Sequence, residues 1–185
     1  MPQLQIVVLV GSLRRESFNR KLAEALRTMA GDEASLRLLE IGDLPLYNQD
    51  DDGHPAAAVQ RLKADIKAAS GVLFVTPEYN RSVPGVLKNA IDHASRPYGQ
   101  SAFEGKPAGV IGISVGAIGT AMAQQHLRNM LAYLDMPTLN APEAFLHAKE
   151  GFFDAKGGIG PASEKFVRSW LDAYLAWVRK HAEAR

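Results

Sequence analysis

Leu4-Gln5-Ile6-Val7-Val8-Leu9-Val10-Gly11-Ser12-Leu13-Arg14-Arg15-Glu16-Ser17-Phe18-Asn19 sets the architecture of this chain. Leu4 to Val10 is a nearly continuous β-branched and aliphatic run, the pattern of a central parallel strand buried on both faces. It breaks at Gly11 into a polar loop. Behind Ser17, a suitable N-cap, Phe18, Leu22, Ala25, Leu26 and Met29 recur at helical spacing, and Gly31 closes the helix. A strand, a short polar loop and an amphipathic helix make the first half of a βαβ unit. The same order repeats downstream.

Ser35 to Ile41 reads as a second strand, followed by a turn-rich loop through Leu44-Pro45-Leu46-Tyr47 to Pro55 and a helix over about Ala56 to Ala69. Gly71 to Thr76 is a third strand and Val86 to Ala94 a short helix. Ala108 to Ser114 is a fourth strand, and Ala123, Leu127, Met130, Leu131 and Leu134 line one face of the next helix, which Pro137 stops. Thr138 to Asn140, or a segment slightly beyond it, supplies the fifth strand. Phe166, Trp170, Leu171, Tyr174, Leu175 and Val178 give the last helix an apolar stripe. Right-handed crossovers turn five such units into a doubly wound α/β fold with a parallel sheet ordered 2-1-3-4-5 and helices on both faces. Ligands of such sheets bind beyond the carboxyl ends of the strands, where the order reverses between strands 1 and 3.

Composition narrows the function. A length of 185 residues with 46% hydrophobic and 22% charged residues suits one globular domain over 1–185. The net charge of +1 lacks the basic excess of a nucleic-acid binder or a polybasic membrane anchor, so small molecules are the expected partners. No apolar run approaches a membrane span, and a cytoplasmic location is the default expectation. The absence of cysteine removes disulfides, thiolate catalysis and iron–sulfur ligation, so any redox chemistry needs a cofactor. Asp50-Asp51-Asp52 reads as a solvated acidic loop. The five histidines show no i, i+4 pair, and no metal site is expected.

Three loops carry unusual residues at the ends of strands 1, 3 and 4. In Gly11 to Asn19, hydroxyls, an amide and Arg14 stand beside a helix N-terminus, which favours an anion by up to roughly 1 kcal/mol at an exposed site. Neither a Walker A pattern nor a Gly-x-Gly-x-x-Gly fingerprint is present, so a terminal monophosphate fits better than a pyrophosphate. In Thr76 to Gly85, two prolines stiffen a loop that offers Tyr79 and Asn80 to a planar ligand. In Ser114 to Thr120, glycines permit close backbone approach. One elongated ligand with a phosphate tail and a flat head would use all three. Read singly, each loop is equally a polar turn capping its helix.

These residues resemble the NADPH-dependent FMN reductases, including the chromate and quinone reductase branch of the flavodoxin-like superfamily. The resemblance rests on Gly11-Ser12-Leu13-Arg14 with Ser17-Phe18-Asn19, and on Thr76-Pro77-Glu78-Tyr79-Asn80 running through Ser82-Val83-Pro84-Gly85 to Leu87-Lys88-Asn89-Ala90-Ile91-Asp92. It implies bound FMN, with Ser12, Arg14, Ser17, Phe18 and Asn19 around the phosphate. Pro77, Glu78, Tyr79 and Asn80 would border the isoalloxazine, and Ser114, Gly116 and Gly119 would close its other side. It further implies hydride transfer from NADPH or NADH through FMN to small acceptors (quinones, flavin, azo compounds, chromate) by a ping-pong mechanism, with no catalytic side chain. A homodimer or homotetramer, associating through the helices after strands 3 and 4, is implied too. Two positions depart from the pattern: His93 stands where many members carry Trp, and Thr120 replaces the second glycine of a frequent Gly-Gly pair. A flavodoxin-type electron carrier and a non-redox phosphate- or nucleotide-binding module are the competing readings. Near-neutral charge disfavours the carrier, which steers its partners with an acidic face.

Overall fold

The computed structural model describes residues 3–182, so both ends of the expected 1–185 domain lie outside the described residues. The elements are β1 (Leu4–Val10), α1 (Phe18–Ala30), β2 (Ala34–Leu38), α2 (Ala57–Ala68), β3 (Gly71–Val75), α3 (Gly85–Ala94), β4 (Ala108–Ser114), α4 (Ala121–Tyr133), β5 (Phe145–His147) and α5 (Pro161–Ala182). All strands are parallel, in the order β2-β1-β3-β4-β5 that the alternating pattern predicts.

Alternation along each strand builds the two layers, because successive side chains leave opposite faces of a sheet. Ile6, Val8, Val10, Leu73, Val75, Ile111 and Ile113 pack with Leu22 and Leu26 of α1 and with Trp170, Leu171 and Tyr174 of α5. Val7, Leu9, Val72, Phe74 and Val110 pack on the other face with Leu62 and Ile66 of α2, Leu87 and Ile91 of α3, and Leu127 and Leu131 of α4. Fully burying one such side chain contributes roughly 1.5–3 kcal/mol, so these two layers hold the strand ends in place.

Three expectations shift. β2 ends at Leu38 rather than Ile41: the Leu39 amide still bonds the Val8 carbonyl at 2.9 Å, after which the chain turns and Glu40 accepts from the Gly42 amide at 2.9 Å. Of the two placements for the fifth strand, the segment beyond Thr138 to Asn140 is the one that pairs. Thr138 makes a single bridge to Ala108, and pairing proper begins at Phe145, opposite Gly112. Arg128 holds the Leu139 carbonyl at 2.8 Å, and Gln124 holds that of Ala144 at 2.8 Å. Arg128 thus takes up a carbonyl that a ladder would otherwise use and Pro142 lacks the donor for one, whereas the Ala144 carbonyl also accepts from the Gly112 amide at 3.4 Å and opens the pairing with β4. Phe166 lies outside the buried stripe of α5 and is exposed, whereas Val167, Trp170, Leu171, Tyr174, Leu175 and Val178 are buried.

Tyr174 lies against β4 where Gly109 makes room: a Cβ there would sit 2.5 Å from its ring. Its hydroxyl has no hydrogen-bonding partner among the described residues, and burial pushes its pKa well above the ordinary tyrosine range. An unsatisfied buried hydroxyl costs more than the apolar edge that replaces it. Tyr174→Phe is therefore expected to raise unfolding stability by about 1 kcal/mol, read from urea denaturation at constant m-value; a loss of stability would show that the hydroxyl is satisfied.

Candidate functional site

β1, β3 and β4 are neighbours, and their carboxyl ends deliver three loops to one edge of the sheet. Gly11 begins the first. Its amide donates to the Val75 carbonyl at 2.9 Å, and a Cβ on it would press on Thr76 Oγ1 at 3.1 Å and Pro77 Cδ at 3.3 Å. The chain then rises into solvent and returns at Ser17, whose buried Oγ accepts from the Arg20 amide at 3.2 Å and caps α1. Among the described residues, the amides of Ser12 to Glu16, and those of Phe18 and Asn19 in the first turn of α1, donate to no protein acceptor. They are free for an anion.

The side chains of this loop divide into props and free groups. Arg14 is turned back on its own loop: Nε donates to the Glu16 carbonyl at 3.0 Å, Nη2 also contacts it, and the guanidinium lies 5.4 Å from the Phe18 ring centroid. Phe18 in turn stacks on Phe153 with centroids 6.5 Å apart. Lys21 pairs with Glu16 at 2.8 Å and holds its carboxyl below the usual range. Asn19 is buried and faces β4, donating to the Ile113 carbonyl at 2.9 Å and accepting from the Ile113 amide at 3.0 Å. Its side chain thus completes a peptide unit 94 residues away and fixes the first turn of α1 against the end of β4. No local feature of the sequence signals that pairing.

The second loop, Thr76 to Pro84, is a miniature hairpin. The Tyr79 and Ser82 amides each donate to the other's carbonyl at 3.0 Å, around Asn80 and Arg81 at φ of 51° and 62°. Two consecutive left-handed residues define a type I′ turn, which Asn tolerates and Arg does not favour. The Glu78 side chain reaches α4 while pairing with Arg81 of the turn, and Ser82 Oγ lies 2.9 Å from Nδ1 of His126 on that helix. The third loop follows β4. Ser114 Oγ accepts from the Gly116 amide at 3.1 Å, and Gly119, at φ 61°, brings the loop so close to β5 that a Cβ there would lie 2.8 Å from the Phe145 carbonyl carbon. Thr120, where a glycine was the expected pattern, is buried and accepts from Gln124 Nε2 at 2.9 Å.

The three loops share an apolar rim. Leu13 is 60% exposed, Tyr79 49%, Val115 67% and Ile118 44%, which leaves large hydrophobic side chains partly in solvent around the strand ends. Of these, only Tyr79 belongs to the residues singled out from the sequence. Free amides at a helix N-terminus beside an exposed apolar mouth suit a ligand with an anionic tail and a flat apolar head. His93 serves elsewhere: its Nε2 lies 2.9 Å from the Pro45 carbonyl and its ring meets Tyr47 edge-on at 5.3 Å. With Asn89, which bonds the Tyr47 amide and the Pro45 carbonyl at 2.8 Å each, it fastens the loop after β2 to α3.

The sequence profile of the NADPH-dependent FMN reductases matches residues 4–151, a span that contains all three loops. The chain belongs to this family. It is 52% identical to a 2-hydroxy-1,4-benzoquinone reductase of a Burkholderia species over 95% of this chain and 97% of that one. It is 47% identical to a quinone reductase of Pseudomonas putida over 94% of both. Among solved structures, FerB of Paracoccus denitrificans, a flavoenzyme NAD(P)H:(acceptor) oxidoreductase, superposes with a TM-score of 0.93 at 44% identity, covering 96% of this chain and 98% of its own. The chain is accordingly an oxidoreductase of the NADPH-dependent FMN reductase family with a flavodoxin-like fold. The donor set fits FMN: the free amides of Ser12 to Glu16, Phe18 and Asn19 suit a monophosphate, and the rim suits the ring. Among the described residues, no group of His, Asp or Glu side chains could hold a metal ion, and no helix is long and apolar enough to cross a membrane.

Because Asn19 satisfies both polar groups of Ile113, Asn19→Ala is expected to cost about 3 kcal/mol of stability, measured by urea denaturation. Asn19→Asp, which cannot donate to the Ile113 carbonyl, should fail to restore it.

Proposed function

We propose that residues 1–185 form one FMN-binding domain that oxidises NADPH or NADH and reduces small acceptors, quinones foremost, by a ping-pong mechanism. The observation that supports this most is the meeting of three strand-end loops that together offer uncommitted amides and an apolar rim. The names of the relatives, two of them quinone reductases, favour quinones as acceptors; free flavin, azo compounds and chromate are further candidates at an open site.

FMN, when bound, supplies the hydride chemistry. The chain's part is to bind and orient. Amides of Ser12 to Glu16, Phe18 and Asn19, with the Ser12, Ser17 and Asn19 side chains shaping the loop, would hold the phosphate, and Arg14 would supply charge once released from the Glu16 carbonyl. Pro77, Tyr79 and Asn80 would border one side of the ring, with Ser114, Gly116 and Gly119 on the other. The amides of Glu78 and Asn80, which no protein acceptor uses among the described residues, would stabilise negative charge at the pyrimidine edge of the ring. Tyr79, Val115 and Ile118 would exclude water from the exposed face that donor and acceptor share in turn. No side chain is assigned as acid or base. We further propose a cytoplasmic homodimer or homotetramer associating through α3 and α4, which sizing chromatography tests directly.

Anaerobic addition of NADPH to the FMN-reconstituted protein should bleach the flavin's visible band within the mixing time. A bound flavin that stays oxidised would point instead to an electron carrier, and a protein that retains no flavin would remove the reading. Arg14→Ala should weaken FMN binding by about tenfold, the loss of one charge-assisted hydrogen bond. Hydride transfer per bound flavin should change less, and unchanged FMN affinity would take Arg14 out of the site.

A further inference from the structure

Glu78 is a carboxylate that links the second loop to the helix after the third, and it is almost wholly withdrawn from solvent: its side chain is 8% exposed. Oε2 accepts from the Met122 amide at 3.0 Å and from the Ala123 amide at 3.2 Å, and Oε1 lies 3.3 Å from Arg81 Nη1. Met122 and Ala123 belong to the first turn of α4, whose amides an N-cap side chain normally satisfies. Here Thr120 occupies the cap position and makes no capping bond, its hydroxyl being turned to Gln124. The cap of α4 is supplied from a different loop, 44 residues earlier in the chain.

We propose that Glu78 is a positioning residue that fixes the β3–α3 loop to the start of α4, and so sets the width of the flavin slot, and that its carboxylate charge lowers the flavin's reduction potential. This rests on FMN occupying the strand-end cleft. Two independent contacts hold the hairpin to one helix: Glu78 at its entry, and Ser82 to His126 at its exit. Between them lies the Asn80-Arg81 turn, whose left-handed residues persist only where the surroundings over-determine them. Releasing the entry contact lets the hairpin and the Ser114 to Thr120 loop move independently, and both flank the ring.

The electrostatic half follows from the same geometry. The N-terminus of a helix carries roughly half a positive charge, which would favour the electron-rich reduced ring. Glu78 consumes the two outward amides and places a full negative charge at that end. Arg81 compensates weakly, because its side chain is 71% exposed and water screens it. The net field at the slot is more negative than the helix alone would make it, so removing the charge while keeping the hydrogen bonds must make the flavin easier to reduce.

Two substitutions separate the roles. Glu78→Gln keeps an oxygen acceptor for the α4 amides and removes the charge. It should hold FMN within about twofold of the wild-type affinity and shift the midpoint potential, read against a reference dye, to a less negative value. Glu78→Ala removes the tie and should weaken FMN binding by about tenfold, the loss of one capping interaction. Hydrogen exchange at Met122 and Ala123 should accelerate in Glu78→Ala and not in Glu78→Gln, with or without flavin. Wild-type FMN affinity in Glu78→Ala would overturn the positioning role, and a potential in Glu78→Gln that stays put or becomes more negative would overturn the charge role. A wild-type chain that takes up no FMN would remove the function proposed above and the flavin half of this assignment together. Exchange at the two α4 amides would then still decide whether Glu78 ties the loop to the helix.

Discussion

Between β1 and β3 the connections part: the chain leaves β1 through α1 towards β2 on one side, and later builds β4 and β5 on the other. No crossover has to pass over the carboxyl ends of β1 and β3, which therefore stay open while both faces of the sheet are covered. Everything at the site depends on that gap. The loops after β1, β3 and β4 meet there because their strands are adjacent, and the strands are adjacent because α1 and α5 pack on one face and α2, α3 and α4 on the other.

An open edge with free amides would be floppy if nothing else held it. The chain counters this with polar side chains that reach across loops rather than along them. Asn19 completes the Ile113 peptide unit, Glu78 caps α4, His126 meets Ser82, and Asn89 with His93 holds the loop after β2. Each is an amide, carboxylate or imidazole satisfied by a group far away in sequence, so each converts a loop into part of a rigid frame. The groups left over are backbone amides and exposed apolar side chains. The division is physical: side chains supply the rigidity, and the main chain and the rim stay uncommitted.

The two departures from the family pattern, His93 and Thr120, fall on the framing side of this division. Neither points into the cleft as a recognition group. His93 braces a neighbouring loop through Pro45, and Thr120 packs beneath α4 against Gln124.

Periodicity, β-branched runs and helix caps are local properties, and the sequence by itself therefore determined the five βα units, the 2-1-3-4-5 order and the three strand-end loops. Leu4 to Val10 is legible because a strand buried on both faces needs an unbroken apolar run, and Ser17 because a cap must stand directly before its helix. Where local signal was weak, reading stopped short. The last strand lies at Phe145–His147 because Arg128 holds the Leu139 carbonyl and Pro142 lacks a donor, and Phe166 is exposed because the buried stripe begins one residue later. Only the tertiary structure decided what the polar residues of the motifs do. Asn19 and Glu78 carry the same chemistry as ligand groups, and nothing in their neighbourhood in sequence shows that Ile113 and the first turn of α4 claim them. Hydrogen bonds between residues 94 and 44 positions apart leave no local trace, since the partner in each is a backbone group that every residue possesses.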